Sequence, residues 1–417
     1  MSYACLMKPR FKVCALALVV LVLSTAAIYA REVHINRHNR TITAQMTALD
    51  VHVVGRVNKR LLTQPLPSQG ASYIHQWPGI YFEAAFAGTA VTLKFDDAGN
   101  EYRLYIDAEK PIAIVRPGKV EITFSRLRLG RHHLRLEKVT ESGANSGAFQ
   151  GFYIAGRARP VRIEPRSFQM EFIGDSTITG YANRLHKKKC TNEEVKAATD
   201  TQAAFPALVA KHYGADYQVN AVSARGVIRN FAGILPGYTL PELYPFTLLD
   251  KTVPYQDPLW QPKLIFIKLN ADFVGDLKPS ERWANFYEVA RDYGPAFGLF
   301  LSELHQRSPN ASFVIWWFDT GAIERSTAEL LQQTQKQIVE VAGKGGATKV
   351  HFMPMSDAGL RRNACDGHYS VEDHNILARR VIAFLDQNSN TPRPSSRRGG
   401  TTYYPPGTST RFAPRLR

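Results

Sequence analysis

The sequence predicts two domains, an all-β jelly-roll sandwich followed by an α/β domain with a doubly wound parallel sheet and helices on both faces. Three observations predict this. Short alternating segments and turns fill residues 48–158, strands and helices alternate after residue 166, and 417 residues exceed the ~250–300 that one core usually supports. The predicted segments are a signal peptide or signal anchor (1–30), a linker (31–47), the sandwich (48–158), a connector (159–166), the α/β domain (167–386) and a disordered basic tail (387–417).

The first 30 residues have the pattern of an export signal. A basic stretch, Lys8–Lys12, precedes an apolar run, Val13–Ala27, that ends in small residues. The alternative is an uncleaved anchor, because Val13–Ala30 is just long enough to span a bilayer. Both interpretations predict a secreted or periplasmic protein, which would contact a membrane only through that anchor.

Export changes the interpretation of the cysteines. Cys190 and Cys365 are the two cysteines outside the signal segment, and an even pair in an oxidising compartment predicts a disulfide. A zinc site is not predicted, because no clustered pair of histidines accompanies the two thiols.

The sandwich is predicted from period-two alternation between turn residues, which is typical of antiparallel strands at intervals of 8–12 residues. No segment of this region has helical spacing. The clearest strands are Tyr81–Phe86, Ala90–Phe95, Tyr102–Ile106 and His133–Lys138.

In the second domain, largely apolar strands alternate with amphipathic helices, which predicts right-handed crossovers and a parallel sheet. The predicted strands are Gln169–Ile173, Tyr217–Val222, Lys263–Leu269, Ser312–Phe318 and Lys349–Met353. The predicted helices are Gln202–Tyr213, Ser280–Gln306, Ser326–Ala342 and Val371–Leu385.

The net charge of +16 does not predict nucleic-acid binding. About half of it lies in the N-terminal segment and the C-terminal tail, and the remainder is not focused on a basic helix or an aromatic-rich patch. The tail is rich in Pro, Gly, Ser, Thr and Arg and has too few aliphatic residues to fold by itself.

Candidate catalytic residues follow the strands of the predicted parallel sheet, where ligands bind in such sheets. Ser176 follows the first strand, and His368 precedes the last helix. This order predicts acyl transfer, with Ser176 as nucleophile, His368 as base and Asp366 orienting the imidazole. Asp366 and His368 are two residues apart, so an extended segment would place both side chains on one face.

The backbone N–H groups of Ser176 and Gly226 are predicted to bind the oxyanion that forms during acyl transfer. Asp175 is predicted to be structural, hydrogen-bonding the loop that carries Ser176. No metal or organic cofactor is required by this chemistry.

At these positions the chain resembles the SGNH (GDSL-like) hydrolases, and within them carbohydrate esterase family two. The four blocks of that family correspond to Gly174-Asp-Ser176, Gly226, Asn270 and Asp366-x-His368. Longer matches are Gly174-Asp-Ser-Thr-Ile-Thr-Gly-Tyr181, Arg225-Gly-Val-Ile-Arg-Asn230 and, in the first domain, Trp77-Pro-Gly-Ile-Tyr-Phe and Leu136-x-Lys-Val-Thr-Glu141.

The resemblance implies that a flavodoxin-like SGNH hydrolase domain follows the sandwich in the sequence. It also implies that the protein removes O-acetyl groups from hemicelluloses such as xylan and glucomannan. It adds Asn270 as a third oxyanion donor and Asp272 as a structural residue near the site. The implied partner is an acetylated polysaccharide. Alternatives are an esterase acting on the organism's own envelope or exopolysaccharide, and a catalytically weak carbohydrate-binding protein.

Two positions depart from the family pattern. Alignment on Asp272-Phe273 puts Ala271 where the family has its oxyanion asparagine, so Asn270 reaches the cleft only if the loop bulges. Where the family often has Asp-Trp-His-Pro, this chain has Asp366-Gly-His-Tyr369, so the aromatic side chain beside the base is either absent or replaced by Tyr369. This difference concerns substrate preference and not the type of reaction.

Overall fold

The structure is a computed structural model that describes residues 32–36, 46–62, 70–143, 145–318, 325–388 and 415–416. The signal peptide or anchor predicted for residues 1–30 lies outside this part of the chain. Among the described residues, no helix is both long and apolar enough to cross a bilayer.

The first domain is the expected antiparallel sandwich of two sheets. The strands are β1 Glu32–Asn36, β2 Met46–Ala48, β3 His52–Val54, β4 Val57–Leu61, β5 Ala71–His75, β6 Tyr81–Gly88, β7 Val91–Asp97, β8 Glu101–Ile106, β9 Ile112–Val115, β10 Gly118–Ser125, β11 Gly130–Lys138, β12 Gly147–Ala155 and β13 Arg159–Val161. One sheet has the strand order β1-β10-β7-β12-β5-β4 with β2 beside β12, and the other has the order β13-β6-β11-β8-β9 with β3 beside β6.

Side-chain alternation explains how the sheets face each other. In β10, Val120, Ile122 and Phe124 are buried, whereas the residues between them are only partly buried. Successive strand side chains point to opposite faces, so one face of each strand enters the core between the sheets.

The sandwich is larger than the 48–158 segment predicted from the sequence. Strand β1 lies in the segment predicted as a linker and pairs antiparallel with β10, and β13 lies in the predicted connector and pairs with β6. Both are edge strands. Strand β13 is only three residues long, too short for alternation to identify it, whereas β1 alternates as Glu-Val-His-Ile-Asn and the sequence analysis missed it.

The second domain has the predicted parallel sheet, with the order β15-β14-β16-β17-β18. All six residues of β15 are buried, as expected for a strand covered on both faces. The strands are β14 Gln169–Gly174, β15 Asp216–Ala221, β16 Leu264–Lys268, β17 Ser312–Phe318 and β18 Val350–Met355. The helices are α1 Ser176–Thr179, α2 Asn192–Ala198, α3 Phe205–His212, α4 Leu240–Leu243, α5 Phe286–Arg307, α6 Arg325–Lys344 and α7 Val371–Gln387.

Two helices begin at residues that the sequence analysis did not predict, and in both a capping side chain sets the first residue. Helix α5 begins at Phe286 instead of Ser280, because the Asn285 side chain accepts the N–H of Glu288 and caps the first turn. The short helix α2 was not predicted. It begins with a capping box in which Thr191 and Glu194 each bind the other's backbone N–H.

The predicted disordered tail, 387–417, lies mostly outside the described residues. Two parts of it differ from the prediction. Helix α7 continues through Gln387, and Arg415–Leu416 form a two-residue strand, β19, parallel to β9 at the edge of the sandwich.

The domains meet along β11, β6 and β15 through buried polar contacts. Arg135 is fully buried in the sandwich and donates to Glu83, Glu137 and, across the boundary, the hydroxyl of Tyr217 at 3.2 Å. The carbonyl of Lys138, at the end of β11, accepts a hydrogen bond of 3.1 Å from the Gln202 amide. The chain beyond β11 is therefore held against the α/β domain.

Candidate active site

Ser176 is placed by the turn that joins β14 to α1. Asp175 is the N-cap of α1 and accepts the N–H of Thr177 at 3.0 Å. Both of its carboxylate oxygens also accept from Lys268, at 2.9 and 2.7 Å. Asp175 therefore holds the turn, which agrees with its predicted structural role, and sequence reasoning missed Lys268.

The structure brings Ser176 and His368 together from opposite ends of the α/β domain. Nε2 of His368 lies 2.9 Å from Oγ of Ser176, within hydrogen-bond distance. Burial lowers the pKa of His368 below its ordinary value, and Lys268 lowers it further, against the Cys365 carbonyl, Asp175 and Asp366, which raise it. The imidazole is therefore mostly neutral near pH 7 and can accept a proton.

The other ring nitrogen of His368 does not contact Asp366, which corrects the sequence prediction. Nδ1 lies 3.0 Å from the backbone carbonyl oxygen of Cys365. Asp366 is exposed and accepts from the Tyr181 hydroxyl at 3.2 Å. The prediction assumed an extended segment, but Asp366 has φ +56° within a 3₁₀ turn, so the two side chains do not share a face.

Tyr181 is a site residue that sequence reasoning did not single out. Its ring stacks on His368 with centroids 4.3 Å apart and an interplanar angle of 29°. Burial raises the pKa of Tyr181 to about 12, so its hydroxyl remains a donor to Asp366 at neutral pH. The only signal in the sequence was its position in the Gly174–Tyr181 motif.

The predicted disulfide is confirmed. Cys190 and Cys365 are bonded, with Cα atoms 5.7 Å apart. The N–H of Asp366 also donates to the carbonyl of Lys188 at 3.2 Å, so the loop that carries His368 is joined to the 188–190 segment by both links.

Two backbone N–H groups near Ser176 are available to a ligand. Among the described residues, the N–H groups of Ser176 and Ala224 have no hydrogen-bond acceptor. Ala224 has φ +66°, an unusual conformation for a residue with a side chain. These N–H groups belong to the segments that follow β14 and β15, at the carboxyl edge of the sheet.

Gly226, predicted as an oxyanion donor, has a different environment. Its N–H donates to Oδ1 of Asn230 at 3.3 Å. A Cβ at this position would lie 2.1 Å from the Arg229 carbonyl oxygen and 2.4 Å from Oδ2 of Asp272. The structure therefore explains this glycine by close packing, whereas the N–H of Ala224, in the same loop, has no acceptor among the described residues.

Asp272 has the structural position that was predicted for it. It is fully buried and accepts the N–H groups of Val227, Ile228 and Arg229 at 2.8–3.0 Å. Burial raises the pKa of Asp272 to about 6, although these hydrogen bonds oppose the shift. Asp272 thus fixes the loop that follows Gly226.

Asn270 and Ala271 differ in exposure. Ala271 is 4% exposed and faces the interior, whereas Asn270 is partly exposed and lies just before a 3₁₀ turn. Within the described residues, the Asn270 side-chain amide has no hydrogen-bond partner, so it is free to donate to a ligand.

One cluster among the described residues has the composition of a metal site. Ligand atoms of His52, Glu83 and Asp216 lie within 4.8 Å of one another at the domain boundary. Arg166 already donates to both carboxylates at 2.7 Å, so a guanidinium occupies the cationic position of this cluster.

The chain is similar to known carbohydrate esterases. Residues 54–162 match the family model described as carbohydrate esterase 2 N-terminal. The acetylxylan esterase / glucomannan deacetylase of Cellvibrio japonicus is 38% identical over 340 residues, which cover 81% of this chain and 91% of that protein. The cellulase/esterase CelE of Acetivibrio thermocellus is 24% identical over 322 residues, which cover 74% of this chain and 36% of that protein.

A solved carbohydrate esterase structure superposes with a TM-score of 0.73 and 36% identity, covering 82% of this chain and 98% of the other. The fold and these similarities define the protein as a carboxylic ester hydrolase of the SGNH type. More specifically, the chain belongs to carbohydrate esterase family 2.

Proposed function

We propose that this protein is an exported serine esterase that removes O-acetyl groups from a hemicellulose such as xylan or glucomannan. The observation that carries the proposal is the 2.9 Å contact between Oγ of Ser176 and Nε2 of His368. The name of the Cellvibrio japonicus relative, acetylxylan esterase / glucomannan deacetylase, supports the choice of substrate.

In the first half-reaction, Ser176 Oγ attacks the acetyl carbonyl carbon while its proton moves to Nε2 of His368. The imidazolium that forms donates from Nδ1 to the Cys365 carbonyl, which keeps the ring oriented. This arrangement is a serine–histidine dyad with a main-chain acceptor in the place of a triad carboxylate. The proton then passes to the sugar oxygen as the bond to the acetyl group breaks.

The negative charge on the tetrahedral intermediate needs donors that are already in place. We assign this role to the N–H groups of Ser176 and Ala224, with the Asn270 amide as a third donor. The first two are free of internal acceptors among the described residues, so no existing bond has to break when the oxyanion forms.

In the second half-reaction, water takes the place vacated by the sugar. His368 Nε2 removes a proton from this water, which attacks the acetyl-serine carbonyl, and acetate leaves as Ser176 recovers the proton. The same donors stabilise the second tetrahedral intermediate.

Export is part of the proposal. The basic and apolar pattern of the first 30 residues supports it, and the Cys190–Cys365 disulfide fits an oxidising compartment. The protein is therefore expected to meet its polysaccharide outside the cytoplasm.

The test is acetate release from acetylated xylan and from acetylated glucomannan by the wild-type protein and Ser176→Ala. Ser302→Ala, a change on helix α5 at a side chain that bonds the Gly298 carbonyl, is the matched control. The proposal expects release by wild type and Ser302→Ala and none by Ser176→Ala. A binding assay on both polymers and acetate release from an acetylated envelope polysaccharide complete the test. Binding without release from any of the three would favour a carbohydrate-binding protein, and release only from the envelope polysaccharide would overturn the choice of substrate.

A further inference from the structure

Glu141 is a sandwich residue that reaches the active-site loop of the other domain. It lies just beyond β11, in a segment pinned by two backbone bonds, from Val139 N–H to the Glu101 carbonyl (2.8 Å) and from Thr201 N–H to the Val139 carbonyl (2.9 Å). The second of these bonds crosses the domain boundary. Val139, two residues before Glu141, is therefore bonded to both domains.

The Glu141 carboxylate binds Ser223 twice. One oxygen accepts the Ser223 backbone N–H at 2.7 Å, and the other accepts the Ser223 hydroxyl at 2.6 Å. Ser223 directly precedes Ala224, so the carboxylate holds the chain immediately before the proposed oxyanion donor. Burial raises the pKa of Glu141, and the two hydrogen bonds from Ser223 oppose this rise, so they favour the charged form of the acceptor.

The contact continues from Ser223 to the nucleophile. Oγ1 of Thr179 lies 3.1 Å from Oγ of Ser223 and 3.1 Å from the carbonyl oxygen of Ser176. The Ser223 hydroxyl gives its proton to Glu141, so the Thr179 hydroxyl donates to one of these two oxygens at a time and contacts the other. The two segments with free N–H groups, at Ser176 and Ala224, are thus joined by a path of side chains that ends on a carboxylate of the sandwich.

The backbone conformation of Ala224 explains why the Glu141–Ser223 contact matters. Ala224 has φ +66°, which is unfavourable for a residue with a side chain and persists only where its surroundings hold it. Its carbonyl is fixed by the Phe231 N–H at 3.0 Å, while its own N–H is left free. The Glu141–Ser223 pair holds the preceding residue.

We propose that Glu141 is a positioning residue for ester hydrolysis, through which the β-sandwich domain sets the distance between the Ser176 and Ala224 N–H groups. This inference rests on the proposed function. It assigns the sandwich a part in forming the oxyanion hole. In this role Glu141 acts through Ser223, which both of its carboxylate oxygens bind.

The experiment compares kcat and KM of Glu141→Ala, Glu141→Gln, Ser223→Ala and the Glu141→Ala/Ser223→Ala double variant on one acetyl ester. Loss of a whole oxyanion donor costs ~10²–10³ in kcat, so displacement of one by Glu141→Ala is expected to cost ~10–100-fold with KM nearly unchanged. Glu141→Gln keeps an acceptor oxygen and is expected to restore most of kcat. The double variant should lose no more than Glu141→Ala alone, because both changes break the same path.

The matched control is Glu101→Gln. Glu101 is also a sandwich carboxylate that crosses the boundary, where it binds Arg184 at 3.1 and 3.2 Å, but it does not contact the 223–226 loop. Its removal should lower the unfolding temperature without lowering kcat.

Three results would overturn the inference in an enzyme whose wild-type form is active: unchanged kcat in Glu141→Ala, losses that add in the double variant, or an equal loss of kcat in Glu101→Gln. If Glu141→Ala does not fold, Glu141→Gln and Ser223→Ala provide the test. A lower kcat in Ser223→Ala but not in Glu141→Gln supports the inference. Wild-type kcat in both variants contradicts it. Absence of activity in the wild-type protein would instead contradict the proposed function.

Discussion

The backbone carbonyl of Cys365 lies 3.0 Å from Nδ1 of His368, and the sulfur of the same residue is bonded to Cys190. One residue thus supplies both the acceptor that orients the imidazole and the covalent link that fixes its loop. A main-chain acceptor can replace a carboxylate in this role only if the loop is rigid. The disulfide and the Lys188 carbonyl supply that rigidity.

Asp366→Asn is predicted to leave most of the activity. A triad carboxylate that orients its histidine contributes ~10⁴ in kcat, but here Asp366 binds the Tyr181 hydroxyl instead of His368. The expected loss in kcat/KM on an acetyl ester chromogen is below ~10-fold, whereas His368→Ala should abolish turnover. A loss near ~10⁴ in Asp366→Asn would reinstate the carboxylate as the orienting group.

Removal of the disulfide is predicted to lower both stability and kcat. It joins residues 175 apart in sequence, and loss of a native disulfide typically costs about 2–5 kcal/mol. The paired Cys190→Ser/Cys365→Ser variant is the suitable form, since it leaves no unpaired thiol. Thermal unfolding measures the first effect, and kcat of the folded fraction measures the second.

If kcat of this double-serine variant equals that of wild type at a temperature where both are folded, the Cys365 carbonyl does not depend on the disulfide for its position. The oxidised and reduced wild-type protein provide the matched comparison without any substitution.

The pH dependence of kcat/KM is predicted to follow His368. Only the neutral imidazole accepts the Ser176 proton, so the rate falls as pH drops through the pKa of His368. Burial lowers that pKa below 6.5, and the acid limb is therefore expected below pH 6.5. In Asp366→Asn the limb should move to lower pH, because the Asp366 charge raises this pKa. An acid limb above pH 6.5 would argue for an ionised carboxylate partner of the ring.

Asn270→Ala is predicted to lower kcat by ~10²–10³ with little change in KM, as expected for a donor that binds mainly in the transition state. Ala271→Asn is the comparison on the same substrate. Because Ala271 faces the interior, Ala271→Asn is expected to destabilise the fold without raising kcat. A silent Asn270→Ala with a faster Ala271→Asn would show instead that the donor belongs at position 271.

Substitutions at Gly226 and Ala224, in the loop that follows β15, are predicted to have different effects. Gly226→Ala would place a Cβ within 2.4 Å of Asp272, which should destabilise the protein by ~1–3 kcal/mol. Ala224→Gly removes the strain of a positive φ while keeping the N–H, so kcat should be retained. Denaturant unfolding and kcat for both variants test this, and a large loss of kcat in Ala224→Gly would contradict the role of its N–H.

Much of the architecture was fixed by local pattern. Alternation in segments such as Tyr81–Phe86 predicted the sandwich, and apolar strands followed by helices predicted the parallel sheet, because both patterns follow from which faces a strand must bury. The topology of a parallel sheet then predicted that Ser176 and His368 lie at one edge of the sheet. The disulfide followed from cysteine count and predicted export.

Tertiary structure alone decided the partners of those residues. A positive φ at Asp366 turned its side chain to Tyr181, and close packing against Asp272 explained why residue 226 is glycine. Neither dihedral angles nor contacts across 45 or 185 residues leave a periodic trace in sequence. The sequence by itself therefore determined the fold class and the nucleophile–base pair. The histidine's acceptor, the free N–H of Ala224 and the contact from Glu141 depend on distances that only the folded chain sets.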